Sequence, residues 1–222
     1  MILPFTNQQF FEVIEKYNIA VFPIQIVIET LGIICLYFLF SGKKVSSKYL
    51  GGFLAFLWLW SGIAYHLLFF TGINNVAHLF GFVFILQGIM FLINTLSREA
   101  LEFKLQRNLA GYTAFFFIVY ALLIYPVISF FVEGSLGKTI VLGLPCPSTI
   151  LTFGFLMLVV NRLPKYLMII PSLWAIVGLS AAINLGVYQD LMIIASAVVA
   201  SVIVIGKYKA ESVKPRFRNR NI

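Results

Sequence analysis

An all-α membrane bundle of seven helices is the fold this sequence predicts, and three observations predict it. The 222 residues are 61% hydrophobic and 11% charged, far from the averages of soluble domains. Seven apolar runs, at about 19–40, 49–70, 76–96, 109–131, 148–162, 166–187 and 190–206, have the length of bilayer crossings, roughly 20 residues at 1.5 Å each. Lys and Arg alternate along the connecting segments: 1, 3, 0, 3, 1, 2, 0 and 6 from the N-terminus, so alternate segments hold 2 and 14 of the 16. The positive-inside rule then puts the N-terminus outside and the C-terminus in the cytoplasm, as in a multi-pass protein of the cell membrane.

Residues 1–206 read as one transmembrane domain, with residues 1–18 as an outer interfacial helix. Thr6 and Gln9 have capping-box spacing. Phe10, Val13, Ile14 and Tyr17 then share one face, with Glu12, Glu15 and Lys16 largely on the other. Such a stripe suits a helix in the headgroup region, or a lid over the outer end of the bundle. This segment lacks the basic start and long apolar run of a cleavable signal peptide. Residues 207–222 read as a basic cytoplasmic tail, in which Lys207, Lys209, Lys214, Arg216, Arg218 and Arg220 attract anionic lipid headgroups. The same location argues against nucleic acid as the partner of the +8 net charge.

Within the runs, Gly51, Ala55 and Gly62, and Ala175, Gly178 and Ala182, allow close helix packing. Pro23, Pro126 and Pro171 bend or end helices. The second and sixth runs open alike, with Lys48-Tyr49-Leu50 and Lys165-Tyr166-Leu167, and continue through Leu59-Trp60 and Leu173-Trp174 to Gly72 and Gly186. These matches suggest a parallel repeat of three helices, one linker helix and three helices, a known transporter design.

Polar side chains inside a bilayer are costly and default to functional candidates. Gln25 and Glu29 stand at i, i+4 on one face of the first run. Glu29 lies roughly 13 Å from the outer end at 1.5 Å per residue. His66, beside Tyr65, and His78 are the only histidines, and each is six residues from Gly72, at similar depth. With Cys146 they form a candidate ligand set for a divalent metal, against which stands hydrogen bonding of each histidine to local partners. Cys146 lies in Gly143-Leu144-Pro145-Cys146-Pro147-Ser148-Thr149, where a helix N-terminus would activate a thiol, or the prolines simply turn the chain. Cys35 belongs to the inner half, so the topology keeps the two cysteines apart. Asn184 and Ser180 pair at i, i+4 on the sixth run, and Asp190 opens the seventh as a cap compensating the helix dipole.

Three stretches carry a family likeness: Pro4-Phe5-Thr6 through Tyr17-Asn18, Trp58-Leu59-Trp60-Ser61-Gly62-Ile63-Ala64-Tyr65-His66-Leu67, and Gly143-Leu144-Pro145-Cys146-Pro147. On these the chain resembles a family of bacterial integral membrane proteins catalogued as a domain of unknown function. The resemblance covers nearly everything but the basic tail, with Asn75 and Ser148 standing where Pro and Thr are expected. It implies the membrane topology and no catalytic role.

The leading functional expectation is transport or binding of a small solute or cation at an outward-facing cavity, with Glu29, Gln25, His66, Tyr65 and Asn184 as ligand-binding residues. The alternatives are an intramembrane enzyme holding a divalent metal on His66, His78 and Cys146, and a membrane sensor or assembly subunit. A retinal protein is excluded because no apolar run carries an interior Lys. The chain also lacks a nucleotide-binding loop.

Overall fold

The computed structural model describes residues 4–41 and 44–213, among which the chain is helical, with isolated bridges in place of strands. Helix α1 (Asn7–Val21) starts at the predicted cap: the Gln9 N–H donates to Thr6 Oγ1 at 3.2 Å and the Thr6 N–H to Gln9 Oε1 at 2.8 Å. Pro23 has no N–H to continue the ladder, and α2 (Ile24–Ser41) leaves at an 85° bend. The predicted stripe turns inward, with Val13, Ile14 and Tyr17 buried. Asn18 Nδ2 ties α1 to the carbonyls of Gly137 at 2.7 Å and Thr139 at 2.8 Å, so α1 covers one end of the bundle.

Helix α3 (Lys44–Trp60) runs into a π-helical segment at Ser61–Leu67 and a 3-10 turn at Phe70–Gly72 before α4 (Ala77–Leu96). The two helices meet backbone to backbone. A Cβ at Gly62 would stand 2.9 Å from the Gly81 carbonyl oxygen, and one at Gly88 would stand 2.9 Å from the Leu59 nitrogen. The small residues of the second run serve the close packing expected of them.

Helix α5 (Leu109–Val119) continues through a second π-helical segment, Tyr120–Ile124, into α6 (Tyr125–Glu133), with Pro126 just inside the start of α6. After a non-helical stretch come α7 (Pro145–Met157), α8 (Tyr166–Leu185), a 3-10 turn at Tyr188–Asp190 and α9 (Leu191–Val213). Pro171, inside α8, cannot donate to the Leu167 carbonyl one turn back. Gln87 on α4 supplies the missing donor, with Nε2 at 3.1 Å from that oxygen.

Among the described residues, five helical stretches are long and apolar enough to cross a membrane: Ser47–Gly72, Ala77–Leu96, Leu109–Glu133, Tyr166–Leu185 and Tyr188–Tyr208. A sixth exists if the bent α1–α2 pair counts as one span. The predicted run at 148–162 differs most from expectation. Its helix, α7, has 13 residues, about 20 Å of length, and all but Cys146 are buried. Beyond Met157 the apolar run leaves the helix. The Lys104 N–H donates to the Leu158 carbonyl at 3.1 Å, and the Val160 N–H to the Glu102 carbonyl at 2.9 Å.

That short pairing organises the end of the bundle opposite α1. Asn161 accepts from the Glu102 N–H at 2.9 Å and donates to the Ala100 carbonyl at 2.8 Å. Asn94 accepts from the Leu101 N–H at 3.1 Å, and Ser47 from the Phe103 N–H at 3.0 Å. α9 continues past 206 to Val213. Lys207 Nζ donates to the carbonyls of Met157 at 2.8 Å and Val159 at 2.9 Å, capping the end of α7 where cations suit the helix dipole. This lysine, read from sequence as the start of a tail, is thus engaged by the protein. Lys214, Arg216, Arg218 and Arg220 lie outside the described residues.

Candidate functional site

The segment from Leu142 to Ser148 occupies the middle of the site because its own backbone bonds are incomplete. Gly143 adopts φ +95°, a conformation that L side chains rarely take, and a Cβ there would meet Ile28 and Trp60. Two prolines then remove donors at positions 145 and 147. Ser61 supplies the donor that Pro147 cannot give, bonding the Gly143 carbonyl at 2.6 Å, and Thr149 Oγ1 donates back to the Pro145 carbonyl at 2.8 Å. The Gly143 N–H in turn donates to Ser148 Oγ at 3.1 Å. Trp58, fully buried, donates to Thr152 at 3.0 Å and anchors α3 to α7.

Acidic side chains approach this segment at two places. Glu29 faces the backbone of Leu142, yet both carboxylate oxygens are out of solvent and without a hydrogen-bond partner. One turn earlier, Gln25 Nε2 donates to the Asn18 carbonyl while its Oε1 stays unpartnered. Four residues on from Leu142, the Cys146 thiol lies beside the carboxyl of Asp190. Asp190 is 4% exposed and accepts a hydrogen bond from the Tyr125 hydroxyl. Tyr120, in the second π-helical segment, donates to the Gln189 carbonyl at 3.0 Å. Among the described residues neither acid faces a basic side chain.

The first π-helical segment carries His66 into an aromatic box. Its ring centroid lies 4.7 Å from Phe84, 5.2 Å from Tyr65 and Trp174, 5.8 Å from Phe80 and 5.9 Å from Phe70. His66 is 0% exposed, and neither ring nitrogen finds a partner. Trp174 also reaches Cys146, with its indole N–H toward the thiol. Above the box, Tyr17 of α1 packs edge-on to Tyr65 at 5.6 Å and accepts from Trp60 Nε1 at 2.7 Å. The covering helix therefore closes directly over these groups.

Residues 7–215 match the model of a family of unknown function, DUF6064. The chain belongs to this family. The match spans every helix from α1 to α9, and no curated protein and no solved structure matches the chain.

In this DUF6064 protein the predicted site residues separate into two groups. Glu29 stands near Leu142, with Gln25 one turn earlier and bonded to Asn18, while His66, Tyr65 and Cys146 gather around Trp174 and Asp190. His78 sits apart, exposed at the start of α4 with Nδ1 3.1 Å from the Asn75 carbonyl. Asn184 is exposed too and donates to the Ser180 carbonyl of its own helix at 2.6 Å. Equal distance from Gly72 did not give the histidines equal surroundings: His66 is buried in the π-helical segment, while His78 is exposed on α4. Among the described residues no group of three or more His, Cys, Asp and Glu is arranged to hold a metal ion.

Asp190, Tyr125, Tyr120 and Trp174 are the members that sequence reasoning undervalued. Asp190 was expected to cap a helix and compensate its dipole; instead it is buried against Tyr125 and Cys146. The signal available was its position, an acid in a tight turn between two apolar runs. Tyr125 carried a fainter one, directly preceding Pro126 inside a long apolar run.

Proposed function

We propose that this DUF6064 protein is a multi-pass protein of the cell membrane that binds and conducts a small cation, protons included, along the Leu142–Cys146 segment between Glu29 and Asp190. The carrying observation is that both carboxyl groups are out of solvent and neither has a countercharge among the described residues. A carboxylate in such surroundings is tolerated only with a proton or a cation on it, and exchange of that occupant is the elementary step of transport. Gln25, Tyr65 and His66 line the path, and Tyr125 and Cys146 position Asp190. Two π-helical segments and the unwound chain before α7 supply the irregular backbone on which such sites are built.

The same reading has seven crossings, with the N-terminus outside. Its support is the sorting of contacts: α1 bonds to Gly137 and Thr139, whereas Ser47, Asn94 and Asn161 bond to residues 100–103 and Lys207 to the end of α7. α7 need not match the bilayer in length, because it is enclosed by protein and its flanks complete the passage. The charge bias, 14 against 2, then puts Asp190 and Cys146 in the outer half.

Flux of H⁺, Na⁺ and K⁺ into vesicles holding the purified protein tests the proposal. The wild type conducts at least one of them, and Glu29→Gln and Asp190→Asn each lower that flux at least tenfold. Flux no greater than in protein-free vesicles for all three ions would refute it.

A further inference from the structure

The end opposite α1 carries two adjoining cavities, of 390 and 1130 Å³, which share Asn161, Arg162, Leu163 and Tyr208 along their common wall. We propose that together they bind a phosphate-bearing anion, held by Arg98 and Arg162 and seated against the apolar floor of the smaller cavity. This site is separate from the one between Glu29 and Asp190, and its chemistry is opposite in sign.

Charge is the first argument. Arg98, Arg162, Lys165 and Lys207 line the two cavities against a single acid, Glu99. Lys207 is engaged by the carbonyls of α7, and Lys165 lies over the Tyr208 ring at 5.1 Å from its centroid. The side chains of Arg98 and Arg162 are exposed and, among the described residues, make neither an ion pair nor a hydrogen bond. A guanidinium presents a planar fork that matches phosphate oxygens in pairs, so two unengaged forks on one cavity favour that anion.

Rigidity of the walls is the second. Asn161 is bonded on both sides of its amide to residues 100 and 102, and Lys207 fixes the end of α7. The walls therefore do not depend on a ligand to hold their shape, and the ordering cost of binding falls on the two arginine side chains. Leu156, Val159 and Val204 line the smaller cavity, an apolar surface beside the cationic rim. That juxtaposition is what a phospholipid presents in reverse, and basic pockets between helices at a membrane face hold lipid headgroups.

The unfolding midpoint of the full chain in neutral detergent, titrated separately with phosphatidylglycerol, phosphatidylcholine and inorganic phosphate, tests this. Phosphatidylglycerol raises the midpoint saturably and phosphatidylcholine does not. Arg98→Gln with Arg162→Gln weakens the apparent affinity at least tenfold without lowering the ligand-free midpoint. A fourfold variant, Lys214→Ala, Arg216→Ala, Arg218→Ala and Arg220→Ala, keeps the affinity. If inorganic phosphate binds as tightly as the lipid and is lost in the same arginine variant, the site serves soluble phosphates; if it does not bind, the site serves a lipid headgroup. Wild-type affinity in the arginine variant, loss of binding in the fourfold tail variant alone, or failure of both phosphatidylglycerol and phosphate to bind the wild type would overturn the proposal.

Discussion

The two ends of the bundle treat their polar groups in opposite ways. Opposite α1, the backbone from Ala100 to Lys104 is bonded residue by residue: to Asn161, Asn94 and Ser47 side chains and to the backbone of Leu158 and Val160. Under α1, Glu29, Gln25, His66 and Gln189 each keep at least one buried polar atom without a partner. The first arrangement is what a loop needs in order to exist where water is scarce. The second is destabilising as it stands, since each orphaned group costs about 1–3 kcal/mol, and it is retained where a proton, water or ion completes it. The unpartnered groups under α1 therefore mark the candidate site, while Gln87 on α4 keeps one more buried oxygen without a partner outside it.

The strongest way to break that comparison is to replace Glu29 by Gln. Cation flux falls at least tenfold while the unfolding midpoint stays level or rises, because an uncompensated buried acid is removed. A midpoint that falls with the flux would make Glu29 part of the scaffold. Replacing Asn161 by Ala tests the other side: two backbone groups lose their partners, costing about 2–4 kcal/mol in denaturant unfolding, with flux per folded molecule unchanged. Gln87→Leu is smaller in effect, about 1–2 kcal/mol, since it again orphans the Leu167 carbonyl that Pro171 left open. If Gln87→Leu is neutral, that carbonyl has found another partner. Smallest is His66→Phe, which keeps an aromatic ring in the box and removes two unpartnered nitrogens. Its unfolding free energy should change by less than about 1 kcal/mol, so any larger loss of flux assigns His66 to the conducting path.

Much of the scaffold was legible from one dimension. The capping box at Thr6, the inward stripe of α1, the small residues that let α3 approach α4, and the family likeness all rest on local spacing. The run at 148–162 misled because hydropathy counts apolar residues without asking what encloses them; α7 is apolar because protein surrounds it, and its last residues pair with residues 102–104 instead of extending a helix. The candidate site was legible in part. Glu29 and Cys146 stood out as polar residues in apolar runs, but periodicity is silent on the π-helical turn in which His66 is buried, while His78 is exposed on α4.

Sequence alone determined the helical class, the apolar character and the lopsided distribution of charge, because these follow from composition and from spacing within single segments. Tertiary structure alone decided which polar groups meet. Leu142 beside Glu29, Cys146 beside Asp190 and Gln87 on the Leu167 carbonyl join residues from different helices. Such pairings depend on the rotation and depth of whole helices against one another, quantities that breaks at Pro23, Pro126 and Pro171 and the two π-helical segments reset and that no local pattern records.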